Sequence, residues 1–216
     1  MKYIACQAIL FDLDGTLVDS VTRIRCLWQA WSERHNISTD VLLSVMHGRR
    51  AIETIQLVAP HLQAEREVMV LESEEIADML NVQVYPGIHK LLSGLPSNQW
   101  AIVTSGSRRI AEARIKHVKL PMPTVLITGD DVKKGKPAPE GYLLAAHGLR
   151  VQPRDCVVIE DSPAGVQAGK MAKMQVIGVT TTHAARELQA ADVIIGGLAE
   201  LSLSVEGNGM ILQFTL

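Results

Sequence analysis

The chain has 216 residues, of which 47% are hydrophobic and 20% charged, with a formal net charge of −2. That length holds one full domain plus a small insertion, and the apolar content is enough for a proper core. The near-neutral balance carries no polybasic signature, which argues against nucleic acid or a membrane surface as partner, while recognition of a phosphate by a few placed groups stays open.

From the start, Met1-Lys2-Tyr3-Ile4 runs into an apolar stretch ending at Phe11, which Asp12 and Asp14 interrupt. This predicts a core strand rather than a signal peptide, and no apolar run is long enough to span a bilayer. Cys6, Cys26 and Cys156 are odd in number and scattered, with no CxxC pair, so they read as small buried hydrophobes in a reducing compartment. A cytoplasmic location is the expectation. The oligomeric state is left open, a monomer included.

Residues 18–82 show no convincing buried strand. Val21, Ile24, Trp28 and Trp31 recur at helical spacing behind Ser20, a candidate N-cap, and a second helical run covers Gln63 to Leu80. The two tryptophans read as a core stripe of this helical insertion rather than as pocket walls. From Gln83 onward short apolar runs alternate with segments of helical length. Trp100–Thr104, Thr124–Thr128, Cys156–Glu160 and Gln175–Val179 read as buried strands, as does Ala8–Phe11, and Asp192–Ile195 as a further one. Ser107–Val118, Pro139–His147 and Pro163–Ala172 read as helices between them. Continuous apolar strands separated by helices mark a parallel sheet covered on both faces. The expected fold class is therefore α/β, with residues 1–17 and 83–216 forming the core domain and 18–82 an inserted all-α domain. Gly207-Asn208-Gly209 between two apolar runs predicts a terminal hairpin.

The chemistry concentrates in Phe11-Asp12-Leu13-Asp14-Gly15-Thr16-Leu17-Val18-Asp19. Ligands of open parallel sheets bind at carboxyl ends of strands, and two carboxylates emerging together there call for a shared cation or proton. Further parts follow in order: Thr104-Ser105-Gly106-Ser107 after the second strand, Lys136 in Gly135-Lys136-Pro137 after the third, and Glu160-Asp161-Ser162 closing the fourth. Taken singly, Lys136 reads as a surface lysine, Glu160-Asp161 as the start of a helix and Ser105 as a turn residue. As an ordered set on consecutive strand ends they favour a site.

Together these motifs resemble the haloacid dehalogenase superfamily of phosphohydrolases, over essentially the whole chain. The resemblance implies a Rossmann-like core, identifies the helical insertion as a cap, and is nearest to the sugar-phosphate phosphatases related to β-phosphoglucomutase, glycerol-phosphatase and 2-deoxyglucose-6-phosphatase. The activity implied is hydrolysis of a small phosphorylated sugar or polyol with magnesium. Asp12 is then the nucleophile that forms an aspartyl-phosphate, and Asp14 the general acid/base. Asp12 and Asp161 are the expected side-chain ligands of the metal, with the Asp14 backbone carbonyl implied by the resemblance and Glu160 as an outer partner. Ser105 and the Gly106 backbone are the expected phosphate donors, with Thr104 the alternative hydroxyl, and Lys136 supplies positive charge beside Asp12.

Within the insertion, His47-Gly48-Arg49-Arg50 interrupts a helical stretch and resembles the loop such caps present to the sugar, with Arg49 or Arg50, Arg50 the preferred candidate, as substrate ligand and exposed helix-start arginines the plainer reading. Two other functions compete. The mutases of this group carry a histidine twelve residues beyond the nucleophile, where this chain has Ile24. Phosphoacceptor signalling domains also gather aspartates, a hydroxyl and a lysine around magnesium, but lack the Asp-x-Asp-Gly-Thr run and the helical insertion.

Overall fold

A computed structural model describes residues 2–206 and 209–214. Its centre is a parallel sheet of six strands: β2 (Ala8–Phe11), β5 (Trp100–Val103), β6 (Val125–Ile127), β7 (Cys156–Glu160), β8 (Gln175–Val179) and β9 (Val193–Ile195). They lie in the order β6-β5-β2-β7-β8-β9, every neighbouring pair parallel. All four residues of β2 and β5 and all five of β7 are buried, because helices cover both faces and leave no polar side to alternate with.

The pleat still sorts side chains into two cores. Ile9, Phe11, Ile102, Val157 and Ile159 face one layer, with α5 (Ile88–Ser93) and α6 (Arg108–His117). Ala8, Leu10, Ala101, Val103 and Val158 face the other, with α7 (Glu140–Leu149) and α8 (Pro163–Met171). Phe11 and Trp100 meet edge to face at 6.4 Å across the first layer. Burial of a side chain of this size contributes about 1.5–3 kcal/mol, so the central strands are where the site's framework draws its rigidity.

Between β3 (Val18–Asp19) and β4 (Gln83–Val84), which pair antiparallel, the chain leaves the sheet for four helices: α1 (Val21–Arg34), α2 (Thr39–Met46), α3 (Ala51–Val58) and α4 (Ala64–Ala77). They close around a core of their own, with Leu27, Trp28, Trp31, Leu42, Ile55 and Leu71. Trp28 and Trp31 pack edge to face at 5.4 Å within it, as the helical spacing predicts, but Trp28 also lines the cavity between insertion and core, against the expectation of a core stripe alone.

Several expectations need correction. The apolar run up to Phe11 is two strands, not one: β1 (Lys2–Cys6) belongs to a separate antiparallel sheet with β10 (Leu201–Glu206) and β11 (Gly209–Phe214), and the break falls at Gln7, whose N–H donates to the Asp155 carbonyl at 2.8 Å. The predicted hairpin strands pair, with Glu206 opposite Gly209, while the turn residues Gly207 and Asn208 lie outside the described residues. Cys26 is exposed on α1; Cys6 and Cys156 are buried as expected, and all three are free thiols. Ser20 occupies the position before α1 but its hydroxyl does not cap the helix; it donates to Asp14 instead. Among the described residues no helix is long and apolar enough to cross a membrane.

Candidate active site

The carboxyl ends of the central strands converge on one point, as open parallel sheets require. Asp12 follows β2, flanked by β5 and β7, and its N–H still donates to the Ile159 carbonyl at 3.0 Å, so the ladder holds its backbone. Thr104 follows β5 and is held the same way, its N–H donating to the Ile127 carbonyl at 2.9 Å. Glu160 ends β7, and Asp161 and Ser162 lead into α8, which Ser162 caps by accepting from the Gly165 N–H at 3.1 Å.

Lys136 brings this edge together. Its ammonium donates to Asp12 Oδ1 at 2.6 Å, to Glu160 Oε1 at 2.5 Å and to the Val103 carbonyl at 3.2 Å. Glu160 accepts further bonds at 3.0 Å from the Tyr142 hydroxyl, the Asp161 and Ser162 N–H groups and the Ser162 hydroxyl. Asp161 accepts from the hydroxyls of Thr16, at 3.4 Å, and Thr182. Asp12, Lys136, Glu160 and Asp161 are all buried.

Electrostatics follows from that crowding. Burial pushes the Asp12 carboxyl up to about 7, the Lys136 charge pulling it down and Glu160 and Asp14 pushing it up. Lys136 is shared: burial pushes the Glu160 carboxyl up, but the Lys136 charge and hydrogen bond together with the bonds from Ser162 hold it below the usual range. Asp161 is raised well above the ordinary carboxylate value by burial first and then by Glu160 and Asp12. Three buried carboxyl groups therefore face one ammonium. Each of Asp12, Glu160 and Asp161 offers an oxygen within 4.8 Å of the others, so the donor set and its surplus negative charge fit a hard divalent cation.

Asp14 is placed apart from that trio. Its Oδ1 accepts from the Ser20 hydroxyl at 2.6 Å and its Oδ2 from Arg114 Nη1 at 2.5 Å. The turn that follows the second aspartate needs Gly15. Its φ is +91°, and a Cβ there would sit 2.2 Å from Asp161 Oδ2.

Over these groups lies a cavity of about 420 Å³ whose floor includes Asp12, Asp14, Thr104, Ser105 and Asp161 and whose roof includes Ile24, Trp28 and the 47–50 loop of the insertion. The Ser105 hydroxyl donates to the Gly48 carbonyl at 2.7 Å, across the gap between core and insertion. The Gly106 N–H donates to Thr104 Oγ1 at 3.0 Å. His47 stands edge to face with His183 at 5.4 Å, and burial followed by the His183 charge pushes its imidazole down.

Arg50 lines the cavity, but its Nη atoms reach backbone carbonyls of the core: Gly129 at 3.2 Å, Val132 at 3.0 Å and Lys133 at 3.0 Å, besides Glu53 at 2.6 Å. Glu53 in turn accepts from the Gly135 N–H at 3.0 Å, one residue before Lys136. Arg50 Nε is buried and has no hydrogen-bond partner.

The structure thus brings Asp12, Lys136 and Asp161 together, with Ser105 and Gly106 lining the same cavity from the core and Arg50 lining it from the insertion. Reading the sequence passed over Arg114, Glu75, Tyr142 and Thr182. Arg114 had a legible signal: it falls with Ile110, Ala111 and Ile115 on the buried face of α6, where a charged residue must have a partner.

A family model described as haloacid dehalogenase-like hydrolase matches residues 6–173. Hexitol phosphatase A of Escherichia coli (strain K12) is 38% identical over 215 residues, covering 96% of this chain and 98% of that protein. Glycerol-1-phosphate phosphohydrolase 2 of Saccharomyces cerevisiae is 36% identical over 188 residues, covering 82% of this chain and 75% of that protein. Among solved structures, a hydrolase from Pseudomonas syringae superposes with a TM-score of 0.78 at 26% identity, covering 88% of this chain and 92% of the other.

Proposed function

Because the chain belongs to the haloacid dehalogenase-like hydrolase family, we propose that it is a magnesium-dependent phosphatase of small phosphorylated sugars or polyols. The observation that supports it most is the buried cluster in which Lys136 touches both Asp12 and Glu160 beside Asp161. Relatives that resemble the chain over most of their length, named for hexitol and glycerol phosphates, support the substrate class.

Asp12 is the nucleophile. One carboxylate oxygen bonds to phosphorus while the bond from phosphorus to the ester oxygen breaks. Asp14 passes its proton to that oxygen, and the alcohol departs. Asp14, now a carboxylate, takes a proton from a water whose oxygen bonds to phosphorus as the bond to Asp12 breaks. The balance is one ester and one water to one alcohol and one phosphate, with both aspartates restored.

Lys136 holds Asp12 in place and sets a positive charge beside the phosphoryl oxygens. The Ser105 hydroxyl and the Gly106 N–H, released from Gly48 and Thr104, donate to those oxygens. Asp12 and Asp161 side chains, with the Asp14 backbone carbonyl, would hold magnesium, Glu160 buttressing the set; the ion supplies charge neutralisation for the incoming anion. Ile24, Leu27 and Trp28 give the roof an apolar wall that fits the carbon chain of a polyol. Ile24, placed where the mutases of this group have a histidine, favours hydrolysis over the mutase reading. The free thiols and the fold support a cytoplasmic location.

Release of inorganic phosphate from a panel of phosphorylated polyols and sugars, with magnesium present, tests the reading; no release from any ester sinks it. Asp14→Asn is expected to lower kcat for such esters by about 10²–10⁴, the usual range for a general acid–base group. The loss is expected to be smaller for p-nitrophenyl phosphate, whose leaving group needs little protonation. An equal loss on both would remove Asp14 from that role.

Arg50 is proposed to serve substrate binding by holding the insertion over the cavity through its bonds to the core carbonyls. Arg50→Ala is then expected to raise KM by roughly tenfold for polyol phosphates and for p-nitrophenyl phosphate alike, the pattern of lost closure. Selective loss for polyol phosphates would assign the arginine to direct sugar contact instead, and unchanged kinetics on both would remove it from the site.

A further inference from the structure

Arg114 is a buried charge that the proposed chemistry leaves unused, and it touches both layers of the enzyme. It extends from α6 of the core and is 4% exposed. Its Nη1 donates to Asp14 Oδ2 at 2.5 Å, while its Nε donates at 2.8 Å, and its Nη2 as well, to one oxygen of Glu75. Glu75 belongs to α4 of the helical insertion and is 5% exposed. Asp14 Oδ1 is held by Ser20, where the chain crosses from core to insertion. Both oxygens of the Asp14 carboxyl are therefore fixed, one by the crossing and one by a guanidinium that the insertion shares.

A guanidinium does not give up its proton, and its planar fork sets direction as well as charge. Buried between two carboxylates, it is costly to leave half-paired, so withdrawing Glu75 would disturb its hold on Asp14. Among the described residues little else joins these two helices by polar contact: the exposed Arg109 reaches the Ser73 hydroxyl at 3.4 Å and the half-buried Glu72 at 4.0 Å.

We infer that Arg114 is a positioning residue which aims the Asp14 carboxyl for proton transfer, and that docking of Glu75 makes this aim depend on closure of the insertion. The inference rests on the phosphatase reading above. When the bond from phosphorus to the ester oxygen breaks, the Asp14 proton moves to that oxygen from the carboxyl that Ser20 and Arg114 hold. The same carboxylate then takes the proton of the attacking water. With α4 withdrawn, Arg114 loses its second partner and Asp14 its fixed direction, so protons move efficiently only over a covered substrate.

The test compares kcat of Arg114→Met, Arg114→Lys and Glu75→Gln with wild type, on hexitol phosphate and on p-nitrophenyl phosphate, with magnesium. Arg114→Met is expected to lose about 10²-fold on the hexitol phosphate and at least about tenfold less on the aryl ester. Glu75→Gln is expected to show the same leaving-group bias at roughly tenfold, and Arg114→Lys to recover part of the loss. Placed in an Asp14→Asn background, Arg114→Met should add nothing, since the two act through one proton transfer. Equal losses on both esters, or an undiminished loss in the Asp14→Asn background, would overturn the inference. Should Arg114→Met fail to fold, Glu75→Gln and Arg114→Lys decide by the same bias. No phosphate release by wild type overturns the phosphatase reading and this inference with it; release with a flat leaving-group pattern overturns this inference alone.

Discussion

Asp12→Asn is expected to abolish turnover, by on the order of 10⁴-fold or more, in a protein that folds normally. The amide keeps the shape of the carboxyl and can still accept from Lys136, so the strand end has no steric reason to move. What it loses is the charge that attacks phosphorus and one of three oxygens in the acidic cluster. Asp12 also stands in surplus: burial already pushes its carboxyl up to about 7. Removing its charge relieves repulsion with Glu160 and Asp161, so in the absence of divalent cations the variant should melt no lower than wild type. Single-turnover assays with circular dichroism and melting check both halves of the statement. Near-normal turnover in a correctly folded Asp12→Asn protein would falsify the nucleophile assignment.

That Asp12 could be singled out at all reflects how local its signal is. A strand of four apolar residues, an aspartate at its end, a second aspartate and a glycine lie within one short run, and the parallel sheet forms from strands just as legible. The same holds for Glu160 and Asp161 at the end of β7. The split between β1 and β2 was not legible because Gln7, the break, is made by a carbonyl at Asp155, far away in sequence. Ser20 illustrates the same limit. Its position before a helix argues for capping, yet a carboxylate six residues earlier takes its hydroxyl. Arg50 shows the limit at a site residue: loop position and charge suggest a ligand contact, while the fold brings three core carbonyls against it. Arg114 and Glu75 sit 39 positions apart on helices whose contact depends on how the insertion docks, and pattern on one helix cannot supply the partner on another.

Removal of divalent cations is expected to stop turnover completely, magnesium to restore it and calcium to inhibit, because calcium favours more ligands and looser geometry. Stability should carry an independent mark of the same site. Asp12 and Asp161 have folded-state pKa values raised above the ordinary carboxylate value, so the folded protein binds more protons than the unfolded chain over that interval. The contribution of these two groups to the stability of the metal-free protein then falls as pH rises from about 4 through about 7, the folded value of Asp12. A cation that occupies the ionised cluster removes this penalty and competes with the protons below it. Its stabilising effect should therefore be smaller at pH 5 than at pH 7.5. At about 100 times its Kd, magnesium would add about 2.7 kcal/mol, which for a chain of this size raises Tm by about 5–10 °C. Melting curves with magnesium and with chelator at the two pH values measure the difference directly. A magnesium shift of equal size at pH 5 and pH 7.5 would show that the cation binds elsewhere than among Asp12, Glu160 and Asp161, and full activity after exhaustive chelation would remove the metal from the reaction.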